Sequence, residues 1–288
     1  MGLKIYLLRL ILPFMRTTCP LPLTLLLATG TGLWAQQPPK EAPIQDNSFL
    51  IEEAYNQEPG VIQHIQTFTR MRPGGDWLYT FTDEWPVGGQ AHQLSFTAPV
   101  QGLADPVLGT QRGLGDLLLN YRFQALGDGT TRVAFSPRFS LLLPTGDARK
   151  GLGNGHLGYQ ANLPLSVVLT DHLVTHANVG YTYTPRARDT QGNRADLGAW
   201  NAGQSLIWLA RPNLNLMLEF AYTHGQAVAG PGLTEPTRSA YLVPGIRWAW
   251  NFPSGLQIVP GIAALAGLGP SRGDNGIFLY LSFEHPLK

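Results

Sequence analysis

The chain has 288 residues, enough for one large domain or two small ones. Only 14% are charged, against roughly 25% in an ordinary soluble domain, while 33 Gly, 23 Pro and 10% aromatics leave little polar surface to present to water. A net charge of +1 gives no electrostatic case for a nucleic-acid partner, and no apolar run of about 18 residues follows residue 35, which excludes a membrane-helix bundle.

Two apolar stretches open the chain: Ile5 to Phe14, interrupted by Arg9 and Pro13, and Leu21 to Ala28. Read from Met15, a positive start at Arg16, an apolar core and the small Ala35 before Gln36 compose a secretory signal peptide that ends at residue 35. Translation from Met15 and one long signal from Met1 both satisfy this pattern. Arg16 stands where a lipobox requires an aliphatic residue, and the apolar core follows Cys19 instead of preceding it, so the lipoprotein reading fails. Cys19 is the only cysteine, and its loss with the signal excludes a disulfide scaffold or a Cys-based metal site. Residues 36–59 are polar and Pro-containing, which predicts a periplasmic extension leading into a barrel over residues 60–288.

From about residue 61, segment after segment alternates apolar and polar at a period of two. Leu117, Leu119, Tyr121, Phe123 and Ala125 take one face against Asp116, Asn120, Arg122 and Gln124. Val133, Phe135, Phe139, Leu141 and Leu143 oppose Arg132, Ser136, Arg138 and Ser140, and Tyr159, Ala161, Leu163 and Leu165 oppose Gln160, Asn162 and Ser166. Leu214, Leu216, Leu218, Phe220 and Tyr222 oppose Asn215, Glu219 and Thr223, and Ile246, Trp248 and Trp250 face away from Arg247 and Asn251. Strands of about ten residues suit a tilted bilayer crossing, and a lipid-facing sheet must close on itself because an open edge would leave backbone donors bare in hydrocarbon.

Twelve strands are predicted, near 61–70, 77–86, 91–99, 115–125, 131–143, 157–169, 173–184, 199–210, 213–224, 239–252, 256–266 and 276–285. Brief turns near Gly88, Gly127, Asp171, Arg211 and Pro253 alternate with longer, Gly-rich connections at 100–114, 144–156, 185–198, 225–238 and 267–275. The predicted fold is therefore all-β: a closed antiparallel transmembrane barrel in a Gram-negative outer membrane, with short periplasmic turns, longer external loops and both termini in the periplasm. Trp77, Tyr79, Trp85, Tyr181, Tyr183, Trp200, Trp208, Trp248 and Trp250 lie mostly toward strand ends, as interfacial girdles do.

The leading segment Asp46 to Phe68, with GLGDLLLNYRF, PRFSLLLPTGD and GLGNGHLGYQANLPLSVVL, resembles the outer-membrane β-barrels of the meta-pathway phenol-degradation family, described as transporters. The resemblance covers nearly all of the mature chain. It implies a barrel and uptake of small organic compounds, aromatic or hydrophobic, and transfers no functional residues. One departure concerns assembly: such barrels usually end on an aromatic, whereas here Phe283 stands five residues before the last, so the assembly signal is internal or atypical.

Gly153-Asn154-Gly155-His156-Leu157-Gly158 matches GxGxxG, but that fingerprint needs a following helix and here a strand is predicted. His172 and His176, four apart, would chelate on a helix; on a strand they are about 13 Å apart, so no metal and no cofactor is expected. His176 with Asn178 is faintly similar to the His-centred sites of outer-membrane lipid hydrolases, which also need a Ser nucleophile within reach. The lumen-lining candidates are Arg122, Arg138, Glu219, Arg247, Glu284 and His176, all on the polar phase. Either they pair and stabilise a plugged interior or they line a water path. A passive channel or transporter for small organic solutes is the favoured function. A non-conducting structural barrel and a lipid-modifying enzyme are the competitors. The expected partners are outer-membrane lipids, the solute itself and the barrel-assembly machinery, and the oligomeric state is left open.

Overall fold

The period-two segments form strands in the computed structural model, which describes Ile44, residues 48–105 and residues 107–286. The signal-peptide reading, the Met15 start and Cys19 lie outside the described residues, as does most of the chain between 36 and 47. Fifteen strand segments follow in order: β1 (Val61–Arg72), β2 (Trp77–Pro86), β3 (His92–Asp105), β4 (Gly109–Leu114), β5 (Leu117–Phe123), β6 (Val133–Phe135), β7 (Arg138–Leu143) and β8 (Gly158–Thr170). The remainder are β9 (Leu173–Arg188), β10 (Arg194–Arg211), β11 (Leu214–Gly230), β12 (Leu233–Trp248), β13 (Trp250–Asn251), β14 (Gln257–Gly267) and β15 (Asn275–Pro286).

Successive crossings pair antiparallel, and β1 pairs β15 from Val61↔Pro286 to Arg72↔Asn275, so the sheet closes. Three crossings are interrupted, β4 with β5, β6 with β7 and β12 with β13, which leaves a closed barrel of twelve staves. The second break falls at Ser136-Pro137, where proline supplies no amide to the ladder.

Alternation sorts the side chains as the bilayer requires. On β5, Leu119 is 46% exposed on the outside while Asn120 and Arg122 are buried within. Tyr181 packs on Trp200 at one rim with ring centroids 4.5 Å apart, and Trp248 and Trp250 meet at the other at 6.1 Å. Trp200 and Trp208 stand eight residues apart on β10, about 26 Å along the strand; a tilt of about 40° brings this to about 20 Å, near the height of the apolar band of such barrels.

Three expected loops are not loops: residues 100–114 largely form the β3–β4 hairpin, paired from Val100↔Leu114 to Asp105↔Gly109. Residues 185–198 and 225–238 largely continue β9–β10 and β11–β12 as hairpins beyond the aromatic rim, closed by short turns after Arg188 and Gly230. Here the outer face carries exposed polar residues such as Arg188, Arg194 and Asp196 while a small cluster of Ala187, Ala195, Leu197 and Val228 is buried on the inner side, so the apolar-out phase of the crossings is lost. The 144–157 loop folds over the mouth. Asp116 accepts the amides of Gly146 at 3.0 Å and Asn154 at 2.7 Å, and Leu152 is buried.

Candidate functional site inside the barrel

An extended chain segment without a strand partner has backbone amides to satisfy, and a barrel lined with short polar side chains has acceptors to spare. Residues 48–57 and the lumen meet on these terms. Glu219 on β11 accepts the amides of Phe49 at 2.6 Å and Leu50 at 2.8 Å. Asn178 on β9 accepts from Glu52 at 2.8 Å, Ser166 on β8 from Ala54 at 2.7 Å, Gln124 beyond β5 from Asn56 at 2.9 Å, and Gln93 on β3 from Gln57 at 2.7 Å. The segment thus runs as a strap around the inner wall, from strand to strand in one direction. Asn178 and Gln124 also donate to the carbonyls of Glu52 at 2.9 Å and Ala54 at 2.7 Å, so these side-chain amides replace the missing neighbouring strand.

This corrects the expected periplasmic course of the extension for its described part. Ser48 to Gln57 lies inside the barrel. The run Phe49-Leu50-Ile51 was the available signal, being too apolar for a solvated linker.

The named candidates take these places. Arg122, 3% exposed, donates to the carbonyl of Tyr55 at 2.8 Å and Oδ1 of Asn56 at 3.0 Å, with Glu53 at 3.7 Å and Glu84 at 3.6 Å. Arg138 pairs with Glu52 at 2.8 Å and donates to Gln160 at 2.9 Å and Asn120 at 3.1 Å. Glu219 holds the strap. Arg247 is buried on β12, on the inward phase with Val243 and opposite Asn215. Glu284 is half-buried near the turn end, opposite Gln63. His176 is bonded through Nδ1 to Ser166 Oγ at 2.7 Å, so a serine hydroxyl does stand beside it. Both are buried beneath the strap, whose Tyr55 ring lies edge-on to the imidazole at 5.8 Å. Sequence reasoning missed Asn178, Gln124 and Gln93 as strap anchors, together with the strap carboxylates Glu52 and Glu53.

Beside the strap a cavity of about 150 Å³ remains. One wall is hydroxylic, with Thr67, Thr69, Thr80, Thr82 and Thr97; another is apolar and aromatic, with Met71, Leu78, Tyr241, Leu265, Phe278 and Tyr280. Glu52, Glu84, Arg122 and Arg138 also line it. The ring of Phe49 borders this space, edge-to-face with Phe278 at 5.6 Å and Tyr280 at 6.3 Å.

A closed barrel with an apolar outer belt, aromatic rims and a polar lumen defines an outer-membrane β-barrel. The same fold is found in an outer membrane channel from Pseudomonas putida F1, at 12% identity and a TM-score of 0.58 over 81% of this chain and 97% of that one. The NanC porin gives 10% identity and 0.53 over 76% and 98%. At these identities the likeness concerns the fold alone. The family described as "Putative MetA-pathway of phenol degradation" matches residues 57–264, and the chain belongs to that family. No curated protein matches it.

Proposed function

We propose that the protein is a passive outer-membrane channel for small organic solutes, with the strap as its resting closure, and not an enzyme. The observation that carries this reading is the way the lumen is filled. Besides the apolar packing of Phe49 and Ile51, the strap is tied by individual hydrogen bonds to polar side chains, each exchangeable for water, and a cavity with hydroxylic and aromatic walls lies beside it. A barrel needing only a stable core would fill it with interlocking apolar side chains. The solved relative from Pseudomonas putida F1 is itself called a channel, which supports the same assignment. The Ser166–His176 pair, closed off by Ala54 and Tyr55, is read as a structural link.

The test is single-channel conductance of the full chain in a planar bilayer, alongside a variant in which Phe49, Leu50 and Ile51 are replaced by Gly. Conductance in the variant, with smaller or briefer openings in the full chain, is expected. The filled lumen and paired arginines favour a second reading, a non-conducting interaction barrel. Absence of conductance from both proteins establishes that reading instead.

A further inference from the structure

The Phe49 ring is seated as a bound ligand would be. Gly245 on β12 and Gly261 on β14 present bare backbone to one side of it. A methyl group on Gly245 would overlap the ring, and one on Gly261 would stand 2.8 Å from its Cε1. Phe278 and Tyr280 on β15 close another side with interplanar angles of 64° and 73°, the edge-to-face geometry that aromatic rings favour. Two features separate this seat from ordinary core packing. It borders the cavity, and its occupant belongs to a segment held to the wall through the adjoining amides, which Glu219 accepts.

We propose that this seat is the channel's binding site for the ring of an uncharged aromatic solute carrying an N–H or O–H donor, and that Phe49 is its tethered occupant. The proposal deepens the channel reading above and rests on it. A solute ring arriving through the cavity competes with Phe49 for the glycine floor and the two aromatic edges. Its donor takes the place of the Phe49 amide at Glu219. Exchange of one ring for another conserves the buried apolar contact, so a weak ligand is enough to shift the strap between its seated and released states. Ile51 packs on the bare backbone of Gly203 on β10 in the same manner.

The test uses the full chain with Cys19→Ser, which removes the native thiol, and Ser48→Cys as reporter. Ser48 is buried in the seated strap and donates to Ser205 at 3.1 Å. Labelling of the new thiol by a maleimide dye is followed in folded protein, with indole as probe and cyclohexanol as the non-aromatic control. Indole is expected to raise the labelling rate about tenfold or more in a saturable way, and cyclohexanol to leave it unchanged. Phe49→Ala labels fast without probe and gains nothing from indole. If that variant does not fold, as judged by mobility in unheated gels, Gly261→Ala serves instead: it fills the floor, expels the ring and gives the same fast, indole-insensitive labelling. An indole-insensitive rate in the reporter protein, or an equal response to cyclohexanol, overturns the proposal. Conductance without any indole response removes this inference and leaves the channel reading standing; an indole response without conductance does the reverse.

Discussion

The carboxylate of Glu219 grips two successive amides of the N-terminal segment, Phe49 at Oε1 and Leu50 at Oε2, across 170 positions of sequence. Glu219 is wholly buried, so both bonds are sheltered from water. Removing the acceptor strands two buried donors at about 1–3 kcal/mol each. Glu219→Ala is therefore expected to free the strap, seen as faster proteolysis after the Phe49-Leu50-Ile51 run with the barrel itself intact. Unchanged cleavage would show that the strap is held elsewhere.

Strap charge and ion selectivity should be linked. Glu52 and Glu53 bring two carboxylates into a lumen where Arg122 and Arg138 await them. Replacing both with Gln is expected to shift the reversal potential of the channel toward anions. The shift should shrink from 0.1 M to 1 M salt, as the screening length falls from about 10 Å to about 3 Å. A shift toward cations would contradict the assignment.

The outer and inner faces should respond differently to charge. Leu218 is 44% exposed on the outer face of β11, and lysine there costs about 2–4 kcal/mol at the bilayer midplane. Thr80 lines the cavity, and its hydroxyl bonds to that of Thr67 across the β1–β2 pair at 2.6 Å. Leu218→Lys is expected to impair folding into liposomes while Thr80→Lys folds nearly as the parent does. Asn162 would be a poor inner control: it is fully buried and donates to Glu52 at 3.2 Å.

Asp76, in the turn joining β1 and β2, accepts the amide of Ala104 at 2.7 Å, yet burial outweighs that bond and raises its carboxyl above the usual range. A raised carboxyl favours the protonated form in the folded state, so its contribution is full below the unfolded value of 3.8 and is lost as pH rises through the folded value. Asp76→Asn keeps the acceptor without the charge. It should stabilise the protein at pH 7 and make no difference near pH 3, as read from denaturant midpoints at the two values.

The twelve crossings and their two faces were legible in the residues themselves, because a period of two is a local property and a bilayer punishes any lapse in it. Leu119, Tyr121 and Phe123 face lipid, and Asn120 and Arg122 face inward, as their alternation requires. Beyond the aromatic rim the same code is lost, since the outer face there meets water and carries polar residues while small apolar ones turn inward, and residues 100–114, 185–198 and 225–238 read as loops although they are largely strand. Asn178, Gln124 and Gln93 announced a polar lumen without saying what fills it. Only closure of the barrel brings acceptors from β3, β8, β9 and β11 onto one ring around the strap, and only there do Gly245 and Gly261, distant in the chain from Phe49, become the floor beneath its ring. Those contacts join residues far apart in sequence, each through one or two hydrogen bonds or a missing methyl group, and no repeating pattern along the chain records them.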